Sequence, residues 1–287
     1  MGFLDHVVAC NTHDADAFLP FRVDQRLVGR VRPAFARYLE DWPELFRVGE
    51  HQVELVCREP GMEARSRRLA RVLDEMVLQG LLSHLHGEQY AAVTGRELQP
   101  LLLVDRAAAP RFGIRAFGQH LNGYVRTGSG LSMWVGRRAE DRLHYPGCLD
   151  NLAAGGLPYG ISLAENLAKE CWEEAGIPAE LSRRAVPVGA IGYQRDTEAG
   201  FKPDTLYCYD LELPQSFRPA CMDGEVQAFY LMPVEEVMER VRDTQEFKLN
   251  CNLVIIDFLI RHGYIGPENE EYLSLVAGLH PGMPELI

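Results

Sequence analysis

Residues 155–177, GGLPYGISLAENLAKECWEEAGI, constrain this chain more than any other stretch. Gly155, Gly156, Pro158 and Gly160 give a loop with unusual backbone freedom. Ser162 with Glu165 three residues later is a capping box, which predicts a helix from Leu163. Gly176 predicts a left-handed close, and Pro178 prevents continuation. Leu163, Leu167, Cys171 and Ala175 recur every four residues and form the expected buried side. Glu170, Glu173 and Glu174, at i, i+3 and i+4, crowd another side. Carboxylates that close repel one another, and two of them in the last turn also oppose the negative end of the helix dipole. A solvated acidic face on an ordinary helix is the bland alternative. A bound divalent cation explains the cluster better, because magnesium takes hard oxygen ligands and combines a few carboxylates with water and substrate phosphate.

The same stretch resembles the Nudix box, G-x5-E-x7-R-E-U-x-E-E-x-G-U. Gly155, Glu170, Cys171, Glu173, Glu174, Gly176 and Ile177 fall on the pattern. Two positions depart from it. Lys169 stands at the Arg position, keeping the charge but losing the planar fork. Ile161 stands at the first Glu position and cannot bind metal, which puts the number of ions in doubt. The resemblance implies that Glu170, Glu173 and Glu174 are core ligands of Mg²⁺, with Mn²⁺ as the other ion to consider, and that the Gly155 carbonyl joins them. It also implies a further ligand or general base from a loop after the box. Glu225, behind Asp223 and Gly224 and ahead of the apolar run Val226 to Met232, fits that place, though a turn acid reads as well.

A closer resemblance spans most of the chain. HLNGYVR from His120, MWVGRR from Met133, YPGCLDNLAAGGLP from Tyr145, AKECWEEAGIP from Ala168, LYCYDLELP from Leu206 and DGEVQAFYLMPVEEV from Asp223 look like the thiamine-pyrophosphokinase-related Nudix branch. That branch carries an N-terminal extension and is implicated in converting oxidised forms of thiamine diphosphate to monophosphates. The fold it implies is an α/β/α sandwich with a mixed sheet, preceded by a small α+β domain. The expected division is 1–115 and 116–287, in line with roughly 150 residues per domain. Strand-like runs interspersed with helices after Ile114 agree with the sandwich.

Within the first part, Val28, Val31, Phe35, Tyr38 and Leu39 follow helical spacing, as do Leu69, Val72, Leu73, Met76 and Val77 ahead of Gly80. Val53 to Cys57 and Leu101 to Val104 suit strands, and Ala107 to Phe112, with Pro110, is the best linker candidate.

Other residues carry weaker signals. Arg137 and Arg138 end a strand-like run and point to opposite faces; either can hold a phosphate through paired N–H donors or sit in a surface ion pair. Lys169 is a further candidate for the substrate's phosphate. Asp150 and Asn151 precede the box, and turn stabilisation explains them equally well. Tyr193, Phe201, Tyr207 and Tyr209 could stack on a heteroaromatic ring, although core packing is the commoner fate.

The net charge, 29 − 41 = −12, makes a poor partner for nucleic acid or anionic lipid and obliges a phosphate site to bring its own positive charge. No uncharged apolar run of about 18 residues predicts a membrane span. The N-terminus lacks a signal-peptide pattern, and seven widely spaced cysteines without C-x-x-C fit reduced thiols. A cytoplasmic protein acting on a small-molecule diphosphate is therefore expected, with a homodimer left open. Three rivals stand beside it: a pyrophosphatase of nucleoside diphosphate derivatives, a non-catalytic diphosphate-binding module, and an isomerase like isopentenyl diphosphate isomerase. Cys148, in YPGCLD, fits the last poorly.

Overall fold

The computed structural model describes residues 2–94, 99–128 and 130–280, so the outer ends of the two expected domains lie outside the described residues. The chain opens with helix α1 (Phe3–Cys10), then a hairpin of β1 (Leu19–Val23) and β2 (Arg26–Val31). Helix α2 (Pro33–Leu39), β3 (Phe46–Val48), β4 (Val53–Leu55) and the long α3 (Met62–Leu78) follow, then β5 (Gln89–Ala92), β6 (Leu102–Asp105) and the single turn α4 (Ala109–Phe112). The first four strands form a sheet in the order β2-β1-β4-β3, and β5 pairs β6 separately. Their shared core gathers Phe21, Leu39, Phe46, Leu69, Met76 and Phe112.

Two local expectations change here. Val28 and Val31 lie in β2, and the helix begins only at Pro33. The tight turn explains this: Asp24 and Gln25 both take positive φ, 50° and 64°, the geometry of a two-residue hairpin turn. Pro33 then takes the first helical position, where its missing N–H costs nothing. Ala107 to Phe112 is not a loose linker. Ala108, Ala109 and Phe112 are buried in the first core, and α4 also packs on the second sheet.

The second part begins at β7 (Ala116–Thr127) and β8 (Gly130–Arg138), then the short β9 (Leu149–Asp150) and β10 (Ala153–Gly156). Helix α5 (Leu163–Ala175) and the turn α6 (Ala179–Ser182) lead to the long hairpin β11 (Val186–Thr197) and β12 (Gly200–Glu212). Strand β13 (Val226–Pro233) and helices α7 (Val234–Asp243), α8 (Leu249–Arg261) and α9 (Tyr272–Leu279) complete it. The sheet runs β11-β12-β7-β8-β13, with β10 on β7 and β9 on β8. It is mixed, because β12 runs parallel to β7 while the other pairs are antiparallel.

Alternation along β7 sends residues to both faces. Leu121 and Val125 pack with Leu167, Cys171 and Ala175 of α5, while Tyr124 packs with α8 on the other face. Helix α8 is buried from Cys251 to Leu259, as a helix apolar almost all round must be. The result is an α/β/α sandwich preceded by an α+β unit. One element crosses between them: Phe3, Val7 and Cys10 of α1 join the sandwich core beside α8 and α9 rather than the core of residues 21–114.

Candidate active site

Helix α5 starts as its capping box predicts. The Ser162 hydroxyl accepts from the Glu165 N–H at 3.2 Å, and the Glu165 carboxylate accepts from the Ser162 N–H at 3.1 Å. Gly176 closes the helix at φ 62°. Leu167, Cys171 and Ala175 are buried as expected, whereas Leu163, in the first turn, lies at the surface.

The buried side of α5 lies against β10, and that contact gathers the acids. Glu174 is buried, and its carboxylate accepts from the Ala154 N–H at 2.7 Å. The Glu170 carboxyl fills the space beside Gly155 so closely that a β-carbon there would collide with it. Glu173 is more open. Lys169 Nζ reaches Glu170 at 3.3 Å and Glu173 at 3.0 Å. Glu225, on the loop before β13, pairs with Arg142 at 2.8 Å and lies close enough for its charge to act on Glu170.

Burial raises the Glu170 carboxyl above the ordinary range; Glu173 and Glu225 add to the rise, and Lys169 opposes it. Burial and the Asp150 charge push Glu174 well up, against the Ala154 hydrogen bond. The group is thus a set of hard oxygen donors held together at an electrostatic cost, with Gly155 leaving room for the Glu170 carboxyl. That donor chemistry fits a divalent cation such as magnesium, which would remove the repulsion.

Arg137 and Arg138 are separated, as strand alternation requires. The Arg137 guanidinium donates to the Gly147 carbonyl at 2.7 Å and lies 5.6 Å from the Tyr230 ring centroid. Arg138 is buried, and donates to Asp150 at 3.1 Å and to the His144 carbonyl. Asp150 and Asn151, which turn chemistry alone could explain, belong to a buried polar network. Asp150 also accepts from Lys248 Nζ at 3.1 Å, from the Cys251 thiol at 2.7 Å and from the Asn151 N–H at 2.9 Å. Asn151 links His120 to Asn122, and Asn122 donates to Asp210.

His120, Asp150 and Cys251 place ligand atoms within 4.8 Å of one another. Metal spacing alone does not make this a cation site. Two full positive charges already bracket Asp150, and burial pushes the Cys251 thiol well up, away from the thiolate a metal needs. No local motif announces this network, because Lys248 and Cys251 reach it only through the placement of α8.

Of the four aromatic candidates, Tyr193, Phe201 and Tyr209 are buried, and Tyr193 donates to Asp204 at 2.6 Å. Tyr207 is half-buried and stacks on Phe117.

Two family models match stretches of this chain. The NUDIX domain family matches residues 122–250, and a domain of unknown function, DUF4743, matches residues 2–116. Nudix hydrolase 24, chloroplastic, of Arabidopsis thaliana is 41% identical over 285 residues, covering 98% of this chain and 78% of that protein. Nudix hydrolase 20, chloroplastic, of the same plant is 39% identical over 96% of this chain and 76% of its own length. An uncharacterised protein of Saccharomyces cerevisiae is 35% identical over 85% of this chain and 76% of its length. The expectation of a cytoplasmic protein is corrected by these relatives, since both plant proteins are chloroplastic. Compartment is not written in thiol count or surface charge. Among the described residues no helix is long and apolar enough to cross a membrane.

Proposed function

Because the chain belongs to the Nudix hydrolase family, a family of hydrolases acting on pyrophosphate bonds, we propose that it cleaves a diphosphate linkage in a small metabolite at the acids of α5. The observation that carries this reading is the placement of Glu170 beside Gly155 and of Glu174 on the Ala154 N–H, both raised by burial, with Glu173 tied to Glu170 through Lys169. Glu170, Glu173 and Glu174 would hold Mg²⁺, with the Gly155 carbonyl as a further ligand, and Mn²⁺ would be the substitute. The ion, when bound, neutralises charge that builds on the diphosphate oxygens in the transition state.

The chain's own groups do the rest. Lys169 keeps Glu170 and Glu173 together. Ala154 fixes the Glu174 carboxylate through its N–H. Glu225, whose charge acts on Glu170, takes the proton of the attacking water. Of the two arginines, Arg137 is the phosphate candidate, because Arg138 is committed to Asp150.

The substrate we favour is thiamine diphosphate or an oxidised analogue, converted to the monophosphate with release of phosphate. Support comes from the stretches between His120 and Val237 that resemble the thiamine-related branch. The chain divides as 1–115 and 116–287, with α1 docked on the second unit. A pyrophosphatase of nucleoside diphosphate derivatives is the competing reading within the same chemistry. Phosphate and monophosphate release from thiamine diphosphate, its oxidised forms and a nucleotide panel, with Mg²⁺ and with EDTA, tests both. We expect metal-dependent cleavage preferring the oxidised thiamine forms. Preference for a nucleotide overturns the substrate, and no cleavage of any member overturns the activity.

A further inference from the structure

The hairpin of β5 and β6 reaches the loop that leads into α5. The Tyr159 N–H donates to the Gln89 carbonyl at 2.7 Å. A β-carbon on Gly156 would collide with the Tyr90 hydroxyl, and would lie 3.4 Å from Arg106 Cζ and 3.5 Å from its Nη1. The two glycines of the box therefore have different reasons. Gly155 makes room for Glu170, while Gly156, facing the other side of β10, makes room for side chains of the N-terminal unit. Tyr90 is 7% exposed, and its hydroxyl makes no hydrogen bond among the described residues.

Arg106 follows β6 directly. Its guanidinium lies 5.8 Å from the Tyr90 ring centroid and 2.7 Å from the Glu88 carboxylate, yet keeps 39% of its side chain exposed. Burial lowers its pKa, but Tyr90, Glu88 and Glu170 together outweigh that. Glu170 is thus within electrostatic reach of it. Arg106 also acts at longer range: after burial, Lys202, Arg138, Arg106 and His84 lower the His144 ring. Lys202 pairs with Asp204 and is 40% exposed. Glu170 beside Gly155 and Arg106 beside Gly156 thus flank the same two residues of β10 from its two sides. In a protein of net charge −12, such positive charge is where a second phosphate can be held.

We infer that Arg106 of the N-terminal unit binds the phosphate of the diphosphate that the α5 acids and their ion do not hold, so that this unit completes the site. The inference rests on the diphosphatase reading. In the free protein Glu88 occupies the guanidinium fork, and the phosphate takes its place. Glu88 is thereby a competitor, and this separates a ligand role from a structural ion pair. A structural pair is damaged alike from either end. A ligand-binding Arg106 is weakened by its own loss and freed by the loss of Glu88.

The test is calorimetric titration of methylenediphosphonate with Mg²⁺, which is bound but not hydrolysed, into the full chain and the variants Arg106→Ala, Arg106→Lys and Glu88→Gln. Melting temperatures and the KM-against-kcat split on the cleaved diphosphate accompany it. We expect Kd to rise at least about tenfold in Arg106→Ala, to recover partly in Arg106→Lys, and to fall about threefold in Glu88→Gln, with KM moving more than kcat. Kd within about twofold of wild type in Arg106→Ala overturns the inference, as does a parallel weakening in Glu88→Gln. Should Arg106→Ala fail to fold, the opposed signs of Arg106→Lys and Glu88→Gln decide. Wild type that cleaves diphosphates while Arg106→Ala binds normally overturns this inference alone. Wild type that neither cleaves diphosphates nor binds methylenediphosphonate overturns the diphosphatase reading and this inference with it.

Discussion

Two clusters of ionisable groups lie back to back near β10, and they are built on opposite principles. Around Asp150 the charges are satisfied: Arg138 and Lys248 bracket one carboxylate, and the Asn151 N–H and Cys251 thiol fill its remaining acceptor sites. The result is an Asp150 pKa lowered to about 2, since Lys248, His120, Cys251 and Arg138 overcome the burial that would raise it. On α5 the charges are in excess. Among the described residues Glu170, Glu173, Glu174 and Glu225 make ion pairs only with Lys169 and Arg142, and Glu170 and Glu174 are raised. The difference separates structure from chemistry. A balanced buried network holds a fold together, whereas an unbalanced one waits for something that the chain does not supply.

The comparison is broken most forcefully at Asp150. Asp150→Asn keeps the shape but leaves Arg138 and Lys248 buried without their anion. Breaking a buried pair from one side costs about 3–5 kcal/mol. Denaturant unfolding should show that loss; a change below about 1 kcal/mol would mean that the network is solvated and not structural.

Glu174→Gln should do the reverse. The amide keeps an acceptor for the Ala154 N–H while removing a charge that burial disfavours. Without metal the variant should melt at the wild-type temperature or above it. Its turnover should nevertheless fall at least about 100-fold, because a ligand of the ion is gone. Turnover within about threefold of wild type, measured at saturating Mg²⁺, would remove Glu174 from the ligand set.

How much of this is legible in sequence follows the same division. The α5 site is local. Ser162, Glu165 and Gly176 set the helix ends, and the i, i+3, i+4 spacing of the glutamates shows the crowding before any tertiary contact is considered. Strands of the sandwich are legible in position but not in length. Strand-like runs are expected after Ile114, and β7 extends over Ala116–Thr127, where pairing with β12 and β10 sustains it. The balanced network is not legible, because Asp150 meets Lys248 and Cys251 only after α8 has docked. Arg106 and Tyr90 lie in a segment with no motif, and reach Gly156 through the packing of two units. The misread helix over Val28 and Val31 has a local cause: apolar spacing cannot see the turn at Asp24 and Gln25.

His120 gives a pH handle on the balanced side. Burial and the Lys248 charge lower its pKa to about 4, against Asp150 and Asn151. An unfolded His titrates near 6.5. Between those values the unfolded chain binds a proton that the folded chain refuses. The stability this group contributes is therefore whole above pH 6.5 and is lost as pH falls towards 4, by at most about 3 kcal/mol. Asp150, lowered to about 2, gives way only below the ordinary aspartate range, outside that window. Glu170 and Glu174, raised in the metal-free protein, act with the opposite sign, but equally in wild type and variant. The difference in unfolding free energy between wild type and His120→Gln, followed from pH 7 to 4 in EDTA, isolates the imidazole. A difference that does not narrow with acid would place His120 in contact with solvent.

The smallest effect sharpens the comparison from the unbalanced side. Lys169 makes two ion pairs, to Glu170 at 3.3 Å and to Glu173 at 3.0 Å, and a count of contacts would rank it with Arg138 and Lys248. Its side chain is 44% exposed, however, and Glu173 is 38% exposed, while the Asp150 side chain is 7% exposed. Water screens the first pair and not the second. An exposed i, i+4 pair is worth about 0.3–0.5 kcal/mol. Lys169→Ala should therefore cost no more than about 0.5 kcal/mol in denaturant unfolding, about a tenth of the cost of Asp150→Asn. Lys169 matters instead as a cation that pairs with both Glu170 and Glu173, two of the proposed ligands. Its loss should register in kcat at saturating metal, with the fold unaffected. A stability loss approaching that of Asp150→Asn would show that the acids of α5 are balanced by Lys169 after all, and that the two clusters differ in exposure but not in kind.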